Sequence, residues 1–299
     1  MRLDVVCVGH ILYDVRCYVE ELPKPDKTSI IRAPIEASGG GSAANVAVNC
    51  AMLGLKTGVV GNIGDDYNGK FLLSNFRRFG INTSEIRKFA GSTGMAIVLI
   101  DKSAEVEVIE SIGVCERRRG IDEDYLKNTN FVHMTGTDLR LLKRTSDIAR
   151  IQKKVVLFDP GRSRAKEGEY KLSKILKNTN YLFANKNEIL LIGGGSDPKV
   201  TAREIADKYG LACILKSGAD EVFFTSSRSE FSIKPPRVKP VDTIGAGDAF
   251  SAGFICGLKE GKTMRDCVKL GIWAAVQKII YKGAQSAINR QWIKRYGKV

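Results

Sequence analysis

Residues 5–8, Val-Val-Cys-Val, form a short unbroken apolar run, the pattern of a strand covered on both faces. Similar runs recur at 57–60, 131–134, 155–158, 181–183 and 212–215, separated by polar or amphipathic segments long enough for helices. Ser42 predicts an N-cap for a helix from 43 to about 55, residues 67–79 predict another, and 246–258 and 264–281 predict two consecutive helices near the end. Strands alternating with helices imply a mostly parallel sheet with helices on both faces, a three-layer α/β/α fold. Residues 222–225 and 230–233 read as a hairpin. Two regions break this rhythm. Residues 11–19 and 28–35, then 94–101 and 105–109, are extended stretches, and Val106 and Val108 alternate with glutamates as in a strand with one wet face. They predict a small separate β-sheet built from insertions at about 11–38 and 94–112. With no internal repeat, low-complexity segment or linker, residues 1–299 read as one domain carrying that appendage.

Composition narrows the class. The chain is 43% hydrophobic and 27% charged, ordinary for a globular protein with a full core. No stretch approaches the ~18 uncharged apolar residues of a membrane span, and the opening MRLDVVCVGH turns acidic before a signal-peptide core develops. A cytoplasmic location and no membrane partner are expected. The seven cysteines are scattered without a C-x-x-C pair, which suggests reduced, buried thiols. Forty-seven Lys and Arg against 33 Asp and Glu give a net charge of +14. These charges are dispersed, and their densest cluster, Arg117-Arg118-Arg119, has no interleaved aromatics. A basic surface that attracts polyanionic nucleotides, or simply a solvated one, accounts for the charge at least as well as a nucleic-acid interface does.

The sharpest motif is Asp242-Thr243-Ile244-Gly245-Ala246-Gly247-Asp248-Ala249-Phe250 at the entrance to a predicted helix. Gly245, Ala246 and Gly247 carry no bulky side chain, so successive N–H groups can point at one anion, and a helix beginning there adds its positive end. Asp248 in the first turn stands beside that anion hole, where a carboxylate can take a proton from an attacking hydroxyl. Asn185 and Glu188 are three residues apart on one helix face after a strand, placed either to orient a hydrated Mg²⁺ or simply to cap the helix. Asp14 follows the first strand, as an ordinary turn residue or as a group that grips vicinal hydroxyls together with Asn45.

Together these motifs resemble the ribokinase-like (PfkB) family of carbohydrate and nucleoside kinases, over essentially the full chain. Gly39-Gly40-Gly41-Ser42-Ala43-Ala44-Asn45 is similar to its first signature, Gly64-Asp65-Asp66-Tyr67-Asn68-Gly69 to its G-x-D-x-x-G loop, and Asn185-Lys186-Asn187-Glu188 to its N-x-x-E motif. The resemblance implies an ATP- and Mg²⁺-dependent kinase acting on a small-molecule sugar or nucleoside. It gives Asp248 the role of base and residues 245–247 that of anion hole. Asp14, Gly40, Gly41 and Asn45 would hold the acceptor. Lys186, Lys216, Ser217, Gly218 and Thr243 would contact the nucleotide, and Glu188 with Asn185 would hold Mg²⁺ through water. It also implies that the small sheet is a lid through which two copies pair, and that Asp242 with the segment Gly283-Ala284-Gln285 resembles a monovalent-cation (K⁺) site of some members. Ile244 stands where many members have Thr, residues 113–115 read Gly-Val-Cys where many sugar kinases carry G-A-N, and Glu221 stands where a Gly often ends the nucleotide loop. The opening residues 7–10 and the turn at 22–25 look like archaeal nucleoside kinases, while a sugar acceptor stays equally open.

Several other motifs fail on chemistry. Gly64–Lys70 spells a P-loop, yet Phe71 replaces the Mg²⁺-binding hydroxyl, and Asp65 and Asp66 would face the phosphates. Gly39-x-Gly41-x-x-Ala44 mimics a dinucleotide fingerprint, but residues 59–62 supply no acid at the end of the next strand, against an oxidoreductase. His10 and His133 are the only histidines, which disfavours histidine triads and multi-histidine metal sites. A non-catalytic sugar- or nucleotide-sensing module on the same fold is disfavoured by the presence of both Asp248 and Glu188.

Overall fold

The computed structural model describes residues 2–31, 33–103, 106–117, 120–285 and 288–297. The first apolar run is β1 (Val5–Val8). Successive strand side chains point to opposite faces, so Val5 and Cys7 enter one core while Val6 and Val8 enter the other. The chain then passes through β2 (Leu12–Tyr18), β3 (Glu36–Gly40), α1 (Ser42–Met52), β4 (Thr57–Gly64), α2 (Tyr67–Arg78) and β5 (Asn82–Phe89). It continues through β6 (Met95–Ile100), β7 (Val106–Ser111), α3 (Glu123–Lys127), β8 (Phe131–Thr135), α4 (Leu139–Ile151) and β9 (Val155–Asp159). Next come α5 (Gly161–Ala165), α6 (Gly168–Leu176), β10 (Tyr181–Asn185), α7 (Lys186–Gly193), α8 (Pro198–Tyr209) and β11 (Ala212–Lys216). The hairpin β12 (Val222–Ser226) and β13 (Ser229–Ile233) leads to α9 (Ala246–Lys259), α10 (Met264–Ile279) and α11 (Arg290–Gly297).

Nine strands form one sheet in the order β13-β12-β11-β10-β9-β8-β1-β4-β5. Pairings from β11 to β5 are all parallel, and β12 and β13 add an antiparallel edge. Helices α1, α2, α9 and α10 cover one face, and α4, α6, α7 and α8 the other. From β1 the chain moves first to β4 and β5 on one side and later to β8 on the other. At that reversal the loops after the carboxyl ends of the strands part, and a crevice opens where an α/β sheet binds ligands. A second sheet, β3-β2-β6-β7, stands apart. Its small core of Leu12, Ala96, Val98, Ile100 and Cys115 packs on Ile244, directly over the loop that leads into α9.

Three local expectations are corrected. The described residues of 28–35 form no strand beyond one isolated bridge between Val19 and Ile31; Pro34 breaks the segment, Pro23 and Pro25 precede it, and the strand is Glu36–Gly40 instead. Gly39 and Gly40 are the last two residues of that strand. Ser42 does not cap α1: Gly41 occupies the N-cap at φ 83°, without a side-chain hydrogen bond. The strand β5 carries no apolar run because it is a half-exposed edge, so its charged residues hid it from periodicity. All seven cysteines are buried thiols outside any disulfide. Arg118 and Arg119 of the basic cluster lie outside the described residues. No helix among the described residues is long and apolar enough to cross a membrane.

Two glycines set how closely α9 and α10 approach. A Cβ on Gly253 would lie 2.5 Å from the Leu270 carbonyl oxygen, and one on Gly271 would lie 2.9 Å from the Phe250 ring. Gly253→Val is expected to cost about 1–3 kcal/mol of stability by forcing the helices apart. A lower urea midpoint at unchanged slope would register it; an unchanged midpoint would show that the helices separate freely.

Candidate active site

The loop entering α9 bends at Gly245, where φ is 75°. A side chain there is doubly disfavoured, because its Cβ would also meet the Ala284 Cβ at 2.7 Å. Past the bend the Ala246 N–H donates to the Thr243 carbonyl at 3.2 Å and the Ala249 N–H to the Gly245 carbonyl at 2.9 Å, so the ladder of α9 starts here and this loop carries the positive end of the helix. Asp248 lies in this first turn, partly buried. Its Oδ2 accepts a 2.8 Å hydrogen bond from the Asn45 side-chain amide on α1. The Asn45 oxygen accepts from Gln285 at 3.1 Å, and the Gln285 oxygen accepts from Asn75 at 2.7 Å. This relay fixes the carboxylate orientation from three separate elements. Burial pushes the Asp248 carboxyl up to about 6; hydrogen bonds from Asn45 and Ser42 and the Lys216 charge oppose the rise, while Asp159 adds to it.

On one side of Asp248, the ends of β9, β10 and β11 converge. Lys216 at the end of β11 pairs with Asp159 at the end of β9 at 2.6 Å. A Cβ on Gly247 would lie 3.2 Å from the Lys216 ammonium, so that charge borders the backbone of 245–247. Glu188 is buried, and its carboxyl is raised by burial first and by Asp159 next. Asn185 and Glu188 form a reciprocal capping box on α7, each bonding the other's backbone N–H at 2.9 Å. The Asn185 oxygen is thereby engaged at the cap, and of the predicted metal pair Glu188 is the residue that faces the ion-pair cluster. Glu188 and Asp159 are crowded hard oxygen donors, a set suited to Mg²⁺ that arrives on phosphates and keeps most of its water.

On the other side, Asp14 of β2 is 4% exposed, and its carboxyl is pushed up to about 7, chiefly by burial. It lies against Gly40, where any Cβ would fall on the carboxylate. Gly41 is equally constrained, since its Cβ would sit 2.5 Å from the His10 carbonyl oxygen. Arg16, two residues along the same face, is also 4% exposed. One of its nitrogens donates to Ser38 at 2.8 Å, while Nε and Nη1 are buried without a partner.

Residues 14, 40, 41, 45, 188, 216 and 245–248 therefore gather along one crevice. Lys186 does not join them; it is half exposed and pairs with Asp220 on the outer edge. Ser217 and Gly218 make the turn after β11, with Gly218 at φ 59°, and Thr243 is exposed on the loop before α9. Asp159, Arg16 and Lys278 escaped the sequence reading. Asp159 had one available signal, an acid ending a buried strand. Nothing local marked Arg16 or Lys278. His133 is a core residue: fully buried against Phe183, its imidazole is pushed down to about 4 by burial.

Comparison with known proteins agrees with this geometry. Residues 2–291 match the pfkB family carbohydrate kinase profile. An uncharacterized sugar kinase of Archaeoglobus fulgidus is 32% identical over 247 residues, covering 80% of this chain and 97% of its own. An ATP-dependent ribose-1-phosphate kinase of Halopiger xanaduensis is 32% identical over 265 residues, covering 84% and 83%. The structure of Arabidopsis thaliana ribokinase complexed with ribose and ATP superposes with a TM-score of 0.84 over the whole of both chains at 22% identity, a likeness of fold. The family match and the kinase relatives make this nine-stranded, mostly parallel sheet with its four-stranded lid the fold of a sugar or nucleoside phosphotransferase. The chain belongs to the pfkB family of carbohydrate kinases.

Proposed function

We propose that this protein uses ATP with Mg²⁺ to phosphorylate a hydroxyl of a sugar-type acceptor, with Asp248 as the base. The observation that carries this reading is the convergence on one carboxylate of the α9 N-terminus, the Lys216 ammonium and the Asn45 amide. Asp248 takes the acceptor O–H proton as the oxygen forms its bond to the γ-phosphorus, and the bond to the β,γ-bridging oxygen breaks toward ADP. The backbone of 245–247 and Lys216 hold the negative charge of the transferring group. Bound Mg²⁺ would neutralise the phosphate oxygens on the side of Glu188 and Asp159. Asp14 and Asn45 hold the acceptor hydroxyls, and the small sheet covers them and excludes water. The outer strand β7 leaves Val108 49% and Ile109 62% exposed, which supports pairing of two copies through this sheet.

Within the acceptor class we favour a sugar carrying an anionic group over a free nucleoside. Two buried, unpartnered guanidinium nitrogens of Arg16 beside Asp14 are costly unless something anionic meets them. The ribose-1-phosphate kinase among the relatives acts, by its name, on such a sugar. A screen of free sugars, nucleosides and sugar phosphates, read as ADP formed, tests this. The highest kcat/KM should fall on a phosphorylated sugar, and Arg16→Met should raise KM for it by about 10- to 100-fold while leaving that for the free sugar little changed. A nucleoside as the only acceptor turned over would overturn the preference and leave the kinase assignment standing.

A further inference from the structure

Lys278, in the last turn of α10, is fully buried, and so is Asp242 at the start of the anion-hole loop. The Lys278 ammonium donates to the Asp242 main-chain carbonyl at 2.5 Å and lies 3.4 Å from its Oδ1. The same carboxylate accepts from the Ile244 N–H at 2.9 Å through Oδ1 and from the Gly283 N–H at 2.7 Å through Oδ2. Asp242 thus ties together the loop that becomes the anion hole and the segment 283–284, which packs against Gly245. In the resemblance noted above, a free K⁺ belongs at Asp242 and this segment. Here the space against the Asp242 carbonyl is already filled by a positive charge that is part of the chain. The residues present do not fit a free K⁺.

We infer that the Lys278 ammonium is the built-in monovalent cation of the anion-hole loop, so that this kinase works without K⁺. The assignment rests on the phosphotransferase reading of residues 245–248. An ammonium is about the size of K⁺ and likewise seeks oxygen, but it is covalently held and cannot be lost by dilution. Lys278 is a positioning residue: it touches no reacting atom and acts through Asp242 on the direction of the 245–247 N–H groups. Arg16 and Asp248 are the other charges whose fields reach it, the first opposing and the second favouring its positive state. Burial holds it below its ordinary value, and Asp242 works against that drop.

The test titrates KCl against choline chloride at constant ionic strength in wild type, Lys278→Ala and Lys278→Met, reading turnover and melting temperature. Wild type should be indifferent to K⁺ in both. Lys278→Ala should lose turnover by about 10²-fold through misdirection of the loop, with a smaller effect on KM. K⁺, ammonium or a short alkylammonium should enter the vacated space, restore part of that turnover and raise the melting temperature, since a ligand of the folded state stabilises it. Lys278→Met removes the charge but keeps the space filled, so it should lose turnover without rescue. Activation of wild type by K⁺ would overturn the inference. So would a folded Lys278→Ala that keeps normal turnover, or one whose loss no cation restores. Should Lys278→Ala not fold, the wild-type titration and Lys278→Met still decide. A wild type that binds ATP yet turns over no acceptor would instead count against the reading of Asp248, and the melting-temperature arm would still report whether K⁺ binds.

Discussion

Asp248→Asn is expected to lower turnover by roughly 10²–10⁴ while nucleotide affinity stays close to that of wild type. The substitution is nearly isosteric and still meets Asn45, so the anion hole keeps its shape; only the ability to accept a proton is lost. Single-turnover measurement of acceptor phosphorylation, paired with calorimetric titration of ATP, separates chemistry from binding. Near-normal turnover would remove Asp248 from the role of base. The pH dependence carries a second signature. Burial holds the Asp248 carboxyl at about 6, so the active, deprotonated form is lost as pH falls through that value. Asp14, pushed up to about 7 chiefly by burial, is protonated over a neighbouring range, and the Asp248 charge adds to its rise. The kcat/KM profile should therefore rise across about pH 6 to 7 more steeply than one group allows, then level off. In the Asn variant the residual activity should keep only the Asp14 part of that limb.

Lys216→Met is expected to lower kcat by about 10²–10³. Removing the ammonium takes away the side-chain positive charge that Asp159, Glu188 and Asp248 share beside an incoming polyphosphate. A loss confined to KM would assign Lys216 to ground-state nucleotide binding alone. The apparent pKa of the turnover profile should also move up, because Lys216 is one of the influences that lower the Asp248 carboxyl. Lys216→Arg keeps the charge but presses a larger head toward Gly247, where a Cβ would lie only 3.2 Å from the present ammonium. It should retain the position of the pH limb while losing part of the rate, which separates charge from fit.

Parts of the fold were legible wherever one residue type forces one local outcome. Val5–Val8, the later apolar runs and the 222–233 hairpin announced the parallel sheet and its antiparallel edge, because a strand buried on both faces has few other compositions. The β5 edge did not show, since a half-exposed strand is free to carry Glu85, Arg87 and Lys88. The segment 28–35 misled because β-branched residues favour extension wherever they stand, while the prolines around them deny a ladder.

The opposite limit applies to the site. Glycines at 245 and 247 with an acid at 248 point to an anion hole and an adjacent carboxylate from local chemistry alone, since backbone N–H groups at a helix start need no distant partner. Which groups surround that carboxylate was decided by tertiary structure. Asn45 meets Asp248 across 203 positions of sequence, Gln285 meets Asn45 across 240, and Lys216 reaches Asp159 across 57. Lys278 looks like any basic residue near a helix C-terminus until packing buries it against Asp242. Local pattern was enough for the buried parallel strands, the helices that follow them, and the glycine loop with its carboxylate, because these depend on neighbours along the chain. The tertiary structure alone decided the proton affinity of Asp248, the orphaned charge of Arg16 and the cation at Asp242, because burial and through-space charge arise only when distant segments meet.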